Sequence, residues 1–484
     1  MRNSKEGAKP LIGREEETRT LEEAFGSGRS EFVAVCGRRR VGKTYLVRKT
    51  LRDRFAFFHT GLSGAGMEGQ LKAFAISLER SFGKPFDVPA DWLAAFRELE
   101  KNLGKGRGRK VLFLDELPWM DTPKSGFLSA LEYFWNGWAS GRDDVMLVVC
   151  GSATSWIVRN LVESRGGFHD RLTHRIWLRP FTLGECAAFA RAKGLALVDR
   201  QVADVYMAFG GVPFYWDLLR KGESPAQAVD RLCFSEEGEL RGEFALLFAS
   251  LFRRPERHVS IVRALASRQS GMTREDLLKA VKTEKGGLFS KALADLEHCG
   301  FVRRYRFPGK KERDSIWQLV DPFTLFHFRF LADPAGRHRG NWLSGTESPA
   351  RSAWSGIAFE QLCLLHVPQI KKALGIAGVA TSVFACRIPP GEDGEAGAQI
   401  DLVLDRADGI VNLCEMKYSR KPFAVTEKYR ETLHDKVDAW KRAFGWKGAV
   451  HVTLVTASGL RRNAASDALQ SVVNLDDLFE GGER

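Results

Sequence analysis

A glycine-rich loop between an apolar run and a helical pattern constrains the fold of this chain more than any other feature. The apolar run covers residues 33–36, and the loop after it has glycines at positions 37 and 42, directly before Lys43 and Thr44. This spacing, set between a strand and a helix, is typical of a phosphate-binding loop. Glycine permits the turn that aims successive backbone N–H groups at an anion, and the N-terminus of the helix faces the same anion.

The side chains of this loop have distinct expected roles. Lys43 should reach the outer phosphates of a nucleotide, and the hydroxyl of Thr44 should bind Mg²⁺. The residues expected to surround the phosphates are Gly37, Arg38, Arg39, Arg40, Val41, Gly42, Lys43, Thr44 and Tyr45.

Two acids follow the apolar run at residues 111–114. Four apolar residues before Asp115 and Glu116 indicate a central strand whose C-terminal end carries the carboxylates to the phosphate-binding loop. Asp115 suits the coordination shell of Mg²⁺, and Glu116 is placed to orient and polarise the attacking water.

A third buried strand is expected over residues 145–150, and polar residues follow it. Ser152 at its end would lie near the γ-phosphate and sense hydrolysis, with Thr154 as second choice; a helix cap is an equally good interpretation of this cluster. Arg171, just beyond, could offset transition-state charge in its own or a neighbouring subunit. An ion pair with Asp170 or Glu163 is the open alternative for this arginine.

Composition places the chain among soluble globular proteins. Its 484 residues are 44% hydrophobic and 27% charged, which suits about three domains with packed cores rather than a disordered chain. A polar N-terminus and the lack of long apolar runs favour the cytoplasm and no membrane association. The eight cysteines are scattered without metal-site spacing, so we expect reduced core residues. A net charge of +13 favours nucleic acid as a partner, although a merely basic protein fits too.

The motifs of the first half together resemble AAA+ ATPases, in the branch of origin-recognition and signal-transducing NTPases. More closely, the run 117–123 after the acidic strand is similar to the archaeal-type ATPase family. The resemblance implies ATP rather than GTP, with Ile12, Gly13 and Arg14 lining the adenine pocket. It also implies a helical lid over the nucleotide, with Pro213 in the Gly-x-Pro element that packs on the base.

The middle of the chain has the pattern of a winged helix-turn-helix. Helical patterns at 258–266, 274–281 and 287–297 precede two strand-like runs, 301–307 and 315–320, joined by a basic turn. The third helix would enter the major groove of DNA and expose Ser290 and Lys291. A module that packs on protein instead is the alternative. The residues expected to hold phosphates from the wing are Arg303, Arg304, Arg306, Lys310, Lys311 and Arg313.

Acids and a lysine share one sheet face in the last third. Asp401 lies in a strand-like run, and Glu415 and Lys417 lie two apart in the next, so both point the same way. With Glu360 on a preceding helix, this pattern resembles the restriction-endonuclease-like nuclease core. The resemblance implies that Glu360, Asp401 and Glu415 ligate a metal and that Lys417 is catalytic. A nuclease-derived fold retained for binding, with a structural Glu–Lys pair, is the alternative. The basic residues expected to face phosphates are Arg420, Lys421, Lys428, Arg430, Lys436, Lys441 and Arg442.

These interpretations predict an α/β protein in five segments. They are an AAA+ core (1–178), a helical lid (179–252), a winged helix (253–335), a linker (336–352) and a restriction-endonuclease-like domain (353–484). The predicted function is ATP hydrolysis that controls DNA binding and metal-dependent DNA cleavage; a nucleotide-switched regulator or scaffold that does not cut is the alternative. ATP and Mg²⁺ are the expected cofactors. Duplex DNA is the expected partner, and a homo-oligomer or a protein partner stays open.

Overall fold

The computed structural model describes residues 11–104, 108–152, 154–163, 166–252, 254–283, 286–306, 315–332, 342–343, 349–391 and 395–481. Within these residues the chain divides into two compact units, drawn from 1–179 with 249–253 and from 180–248 with 254–484. The helices expected to form a lid therefore group with the C-terminal half. Among the described residues, no helix is long and apolar enough to cross a membrane.

The first unit is a parallel sheet with helices on both faces, in the strand order β2-β3-β4-β1-β5. Its strands are β1 Glu31–Cys36, β2 Phe55–Thr60, β3 Lys110–Asp115, β4 Val145–Gly151 and β5 His174–Trp177. Its helices are α1 Glu15–Gly26, α2 Lys43–Thr50, α3 Met67–Phe82, α4 Trp92–Leu103, α5 Leu117–Met120, α6 Phe127–Phe134 and α7 Thr154–Ile157, and π-helical segments Trp135–Ala139 and Val158–Val162 extend the last two.

The three central strands are apolar because both of their faces are covered. β1, β3 and β4 are buried at every residue, and alternate side chains of β1 enter separate cores: Phe32 and Ala34 on one side, Val33 and Val35 on the other. The predicted parallel α/β core is confirmed. β5 is a short edge strand with one buried residue, Ile176, so no apolar run indicated it.

The second unit begins with helices and continues with three helices around a small antiparallel sheet, in the order β6-β8-β7. The first helices are α8 Leu183–Lys193, α9 Asp199–Phe209, α10 Pro213–Asp217, α11 Pro225–Val229 and α12 Glu243–Leu251, with the π-helical segment Asp230–Phe234. The last three residues of α12 are counted with the first unit. The elements that follow are α13 Glu256–Ala266, β6 Met272–Thr273, α14 Arg274–Val281, α15 Gly287–His298, β7 Val302–Tyr305, β8 Ile316–Leu319, α16 Pro322–Phe326 and the π-helical segment His327–Leu331.

The remainder of the second unit is built on a mixed sheet in the order β15-β13-β11-β10-β9, in which β9, β10 and β11 are antiparallel and β11, β13 and β15 are parallel. Its elements are α17 Pro349–Leu365, α18 Val367–Ala373, β9 Thr381–Ile388, β10 Ala398–Arg406, β11 Ile410–Lys417, β12 Phe423–Ala424, α19 Glu427–Phe444, β13 Ala449–Thr456, β14 Leu460–Arg461, β15 Ser471–Asn474 and the 3₁₀ segments Ala464–Ala468 and Leu475–Phe479. β12 and β14 pair separately.

The small antiparallel sheet packs on the C-terminal sheet. Tyr305 of β7 lies in one buried cluster with Phe384 and Trp440. Arg303 on the same strand donates from Nη1 to the Leu364 carbonyl (3.3 Å) and from Nη2 to Gln318 Oε1 (2.8 Å), and burial lowers its pKa. The prediction that Arg303 contacts DNA phosphates is therefore wrong, because β7 turns this side chain into the protein.

Two polar contacts join the first helices of the second unit to its C-terminal part. The buried imidazole of His366, after α17, accepts the Leu183 N–H of α8 at Nε2 (2.9 Å) and donates from Nδ1 to the Leu362 carbonyl. On α9, Arg200 donates from Nε to the Tyr418 hydroxyl (2.9 Å), and that hydroxyl donates to Asp204. Helices α8 and α9 are therefore held by the segment that carries β11.

Several predictions fall partly outside the described residues. They are the wing residues Lys310, Lys311 and Arg313 and most of the linker 336–352. Arg304 and Arg306 are described and exposed, and Arg304 lies 3.7 Å from Glu297.

Candidate functional site

The phosphate-binding loop joins β1 to α2 in a conformation that its glycines make possible. Gly37 and Gly42 both have positive φ, at 155° and 94°, and a Cβ on Gly37 would lie 2.4 Å from the Leu178 carbonyl oxygen. Lys43 begins α2, is 5% exposed, and donates from Nζ to the Arg38 carbonyl (2.9 Å). Burial lowers the pKa of Lys43, and the nearby acids oppose that effect. The loop therefore encloses a buried cation that is held by a backbone carbonyl of the loop itself.

The expected Mg²⁺ ligands meet at the C-terminal end of β3. The Thr44 hydroxyl donates to the Asp115 carboxylate, 3.1 Å from Oδ1 and 3.0 Å from Oδ2. Burial raises the pKa of Asp115, while hydrogen bonds from Cys150 and Thr44 lower it. A hydroxyl and a carboxylate oxygen in direct contact are hard ligands of the kind that Mg²⁺ prefers, so these residues fit this ion.

Cys150 is a member of this site that sequence reasoning assigned to the core. Its Sγ lies 2.7 Å from Asp115 Oδ1 and donates to it, from the neighbouring strand β4. The sequence signal was the position of this cysteine one residue before the end of a buried strand, at the sheet edge that carries the acids.

Glu116 and Ser152 lie in direct contact. Glu116 has a φ of 50°, and this left-handed turn aims its carboxylate at the end of β4. The Ser152 N–H donates to Oε2 (3.1 Å) and its hydroxyl donates to Oε1 (2.7 Å). Thr154, the second choice for this position, is fully buried at the start of α7.

Arg14 is held by hydrogen bonds to other residues of the first unit. It caps α1 with a φ of 70°, is 6% exposed, and donates from Nη2 to the Arg179 carbonyl (2.6 Å); Nη1 lies 3.5 Å from Glu17. Gly13 also has a positive φ of 63°, and Ile12 is partly buried beside it. This segment is thus fixed against the chain that follows β5.

Arg171 and Pro213 lie on different units. Arg171 is exposed in a turn closed by its own N–H and the Phe168 carbonyl, and the neighbouring Asp170 lies 3.1 Å from His169. Pro213 begins α10 in the second unit, two residues after Gly211, which packs so closely on Phe181 that a Cβ would lie 1.9 Å from its carbonyl oxygen.

The four residues predicted for the C-terminal site gather between β10, β11 and α17. Asp401 accepts the Met416 N–H (3.1 Å), and Glu415, 2% exposed, lies 3.5 Å from Lys417 Nζ. Burial raises the pKa of Glu360 and of Asp401, with the charge of Asp401 adding to the effect on Glu360 and that of Glu415 to the effect on Asp401.

Two residues of α19 complete this cluster. The Tyr429 hydroxyl donates to Glu415 Oε2 (2.9 Å), and Lys436 Nζ donates to Oε1. Lys436 was predicted to face DNA phosphates and instead pairs with a buried acid, so that prediction is wrong. The helical period indicated that Lys436 points inward. Tyr429, Leu433, Lys436 and Trp440 lie on one face of α19, and Leu433 and Trp440 on that face are buried.

Residues 11–219 match the family model of an ATPase domain found predominantly in archaea. This part of the chain is similar to that ATPase domain. The match covers less than half of the chain and ends before the small antiparallel sheet and the C-terminal sheet. The roles assigned to individual residues of the ATPase domain, and the winged-helix and nuclease-like interpretations of the later segments, stay predictions.

Other proteins are similar over a longer stretch. An uncharacterized protein of Methanocaldococcus jannaschii is 22% identical over 324 residues, which are 66% of this chain and 69% of that protein. A Walker-type ATPase of Pyrococcus abyssi is 19% identical, with a TM-score of 0.49 over 66% of this chain and 96% of its own. The Orc2 protein of Aeropyrum pernix is 15% identical, with a TM-score of 0.44 over 67% of this chain and 95% of its own.

Proposed function

We propose that the ATPase domain binds ATP with Mg²⁺ and hydrolyses it, and that the nucleotide state controls DNA binding by the second unit. The proposal rests on three hydrogen-bonded pairs at one edge of the sheet. They are Lys43 with the Arg38 carbonyl, Thr44 with Asp115, and Ser152 with Glu116. A buried lysine, a hard-ligand pair and a held carboxylate are the parts that phosphoryl transfer from ATP requires.

Each part has a stated task in this reaction. Backbone N–H groups of the loop bind the phosphates, and Lys43 exchanges the Arg38 carbonyl for phosphate oxygens. Thr44 and Asp115 would hold Mg²⁺, which would offset the charge of the phosphates. Glu116 orients the attacking water and accepts its proton, while Ser152 fixes the direction of that carboxylate through two hydrogen bonds.

Replacement of Lys43 tests the ATPase proposal. Lys43→Ala should weaken ATP binding at least about 10-fold and reduce phosphate release by about 100-fold, because the cation that meets the outer phosphates is gone. Arg48→Ala is the matched control, since Arg48 lies exposed on the same helix. ATP affinity from fluorescent-nucleotide titration and phosphate release from a coupled assay are the readouts. Unchanged affinity in Lys43→Ala would refute the proposal.

DNA binding is supported by charge and by the form of the middle segment. Three helices and a three-stranded antiparallel sheet are the elements of a winged helix, and α15 keeps an exposed face with Ser290, Lys291 and Leu288. Arg306 is exposed beyond β7, and the chain carries a net charge of +13. Because β7 packs on the C-terminal sheet, we assign the DNA contact to α15 and Arg306 rather than to the strand face.

For the C-terminal sheet we propose a nuclease-derived fold that contributes to DNA binding without cutting. The observation that favours binding over cleavage is the state of Glu415, whose two oxygens already accept hydrogen bonds from Tyr429 and Lys436. Exposed basic residues of α19 and of the chain before it supply the phosphate-facing surface: Lys421, Lys428, Lys441 and Arg442.

A further inference from the structure

The C-terminal acidic cluster, which consists of Glu360, Asp401 and Glu415, contains a cation of the same chain, the ammonium of Lys436. Glu415 lies at 2% exposure on β11, where an unpaired carboxylate would be costly. Its Oε1 accepts Lys436 Nζ, and its Oε2 accepts the Tyr429 hydroxyl at 2.9 Å and lies 3.5 Å from Lys417 Nζ. Every oxygen of this carboxylate is thus met by a donor of the same chain.

While Lys436 and Tyr429 hold Glu415, the other acids do not form a ligand set with it. One carboxylate oxygen of Asp401 accepts the Met416 N–H of the neighbouring strand at 3.1 Å. Across the described residues, no group of three or more acidic, histidine or cysteine side chains is arranged to hold a metal ion. A divalent cation needs several oxygen ligands that converge on one point. The residues as arranged therefore do not fit the metal that the nuclease-like pattern implies.

Helix α19 is built to hold Lys436 in this position. Tyr429 and Lys436 lie two turns apart on the face that also carries Leu433 and Trp440, which are both 1% exposed. Trp440 packs with Phe384 of β9 in the core under the sheet. Lys436 is itself mostly buried, with a side chain that is 17% exposed. Movement of its ammonium away from Glu415 would require a change in a packed helix or would leave a buried acid unpaired.

We propose that Lys436 occupies the cation position of this cluster, so that the native chain binds no divalent ion there. The inference rests on the proposed function of the C-terminal sheet as a fold that binds without cutting. Three acids, Glu360, Asp401 and Glu415, face two lysines, so removal of one lysine increases the excess of acidic groups, and a divalent cation can offset it. The presence of Lys436 then determines whether this cluster can bind a divalent metal ion.

Mn²⁺ binding to the full chain without nucleotide tests this assignment. Electron paramagnetic resonance of free Mn²⁺ would be compared for the native chain, Lys436→Met, which keeps the stem, and Lys436→Arg, which keeps the charge. Lys436→Met should gain one Mn²⁺ site at least about 10-fold tighter than any shared weak site, and the added change Asp401→Asn should remove it. Lys436→Arg should match the native chain. Mn²⁺ bound by the ATPase domain is common to all forms and cancels in the comparison.

Asp401→Asn in the native chain decides the matter even if Lys436→Met fails to fold. The proposal is supported if the native chain and Asp401→Asn bind the same number of Mn²⁺ ions. A Mn²⁺ ion on the native chain that Asp401→Asn removes overturns it, as does a folded Lys436→Met chain with no new site. DNA binding by the same proteins is measured separately. If the Mn²⁺ results are as expected but no DNA binding is found, only the proposal of DNA binding is refuted.

Discussion

At the scale of single residues, motif spacing predicted which side chains gather at the sheet edge but not how they pair. Lys43, Thr44, Asp115 and Glu116 follow from a loop and two strand ends, and the structure places them together. The contact of Ser152 with Glu116 depends on a left-handed turn at a glutamate, for which the residue type gives no signal. The Lys436–Glu415 pair joins a helix to a strand across the fold, and no local pattern specifies such a partner.

Ser152→Ala should slow hydrolysis with little change in ATP affinity. The serine hydroxyl holds Oε1 of Glu116, and its loss leaves only the backbone N–H bond to Oε2, so the carboxylate can rotate away from the attacking water. We expect phosphate release to fall about 10-fold or more, and nucleotide affinity to stay within about twofold. Ser140→Ala, an exposed serine after α6, is the control. An equal loss of affinity and rate would show instead that Ser152 contributes to binding.

Cys150→Val should raise the Mg²⁺ concentration needed for hydrolysis. Valine keeps the volume but removes the thiol that donates to Asp115 Oδ1, so the carboxylate loses a hydrogen bond that opposes the rise of its pKa. We expect the Mg²⁺ half-saturation to increase about 10-fold at pH 7 with a smaller effect at higher pH. Cys150→Ser retains a donor and should restore most of the native value. Identical Mg²⁺ curves for the valine and native chains would contradict this role.

At the scale of elements, apolar runs identified the buried strands. Thr273 caps α14, because its Oγ1 accepts the Asp276 N–H at the start of that helix (3.1 Å). The grouping of α8 and α9 with the C-terminal half could not be predicted. It depends on contacts such as that of Leu183 with His366, which lie 183 residues apart.

Acid should weaken the attachment of α8 to α17 through His366. Burial lowers the pKa of His366 to about 4, because the interior disfavours the charged ring, and Nε2 accepts the Leu183 N–H in the neutral form. The unfolded chain takes up this proton near pH 6.5, so the free energy of unfolding falls between pH 6.5 and 4, by at most about 3 kcal/mol. Denaturation midpoints in urea at pH 7.5 and 5.0 measure the effect. His366→Gln should show a smaller difference between the two pH values, and an unchanged difference would exclude His366 as its source.

At the scale of the whole molecule, the positive charge provides a test of the proposed DNA binding. If basic side chains of α15 and α19 contact phosphates, affinity for duplex DNA should fall steeply with salt, because bound counterions are released. Lys291→Ala should reduce the slope of log affinity against log salt by about 1. Glu275→Gln, on the neighbouring helix α14, is a control of opposite charge. Fluorescence anisotropy at several salt concentrations provides the slopes, and a flat response would rule out phosphate contacts.

The attachment of α8 and α9 to the C-terminal sheet limits how this protein can be shortened or recombined. In a chain cut before residue 349, the Leu183 N–H would lose its acceptor, the imidazole of His366. Arg200 and Asp204 would lose their hydrogen bonds with the Tyr418 hydroxyl. Apolar surface of both helices would meet water at the same time. Exchange of the tail for another sequence would therefore demand matching changes on α8 and α9, so these segments are expected to be inherited as one piece.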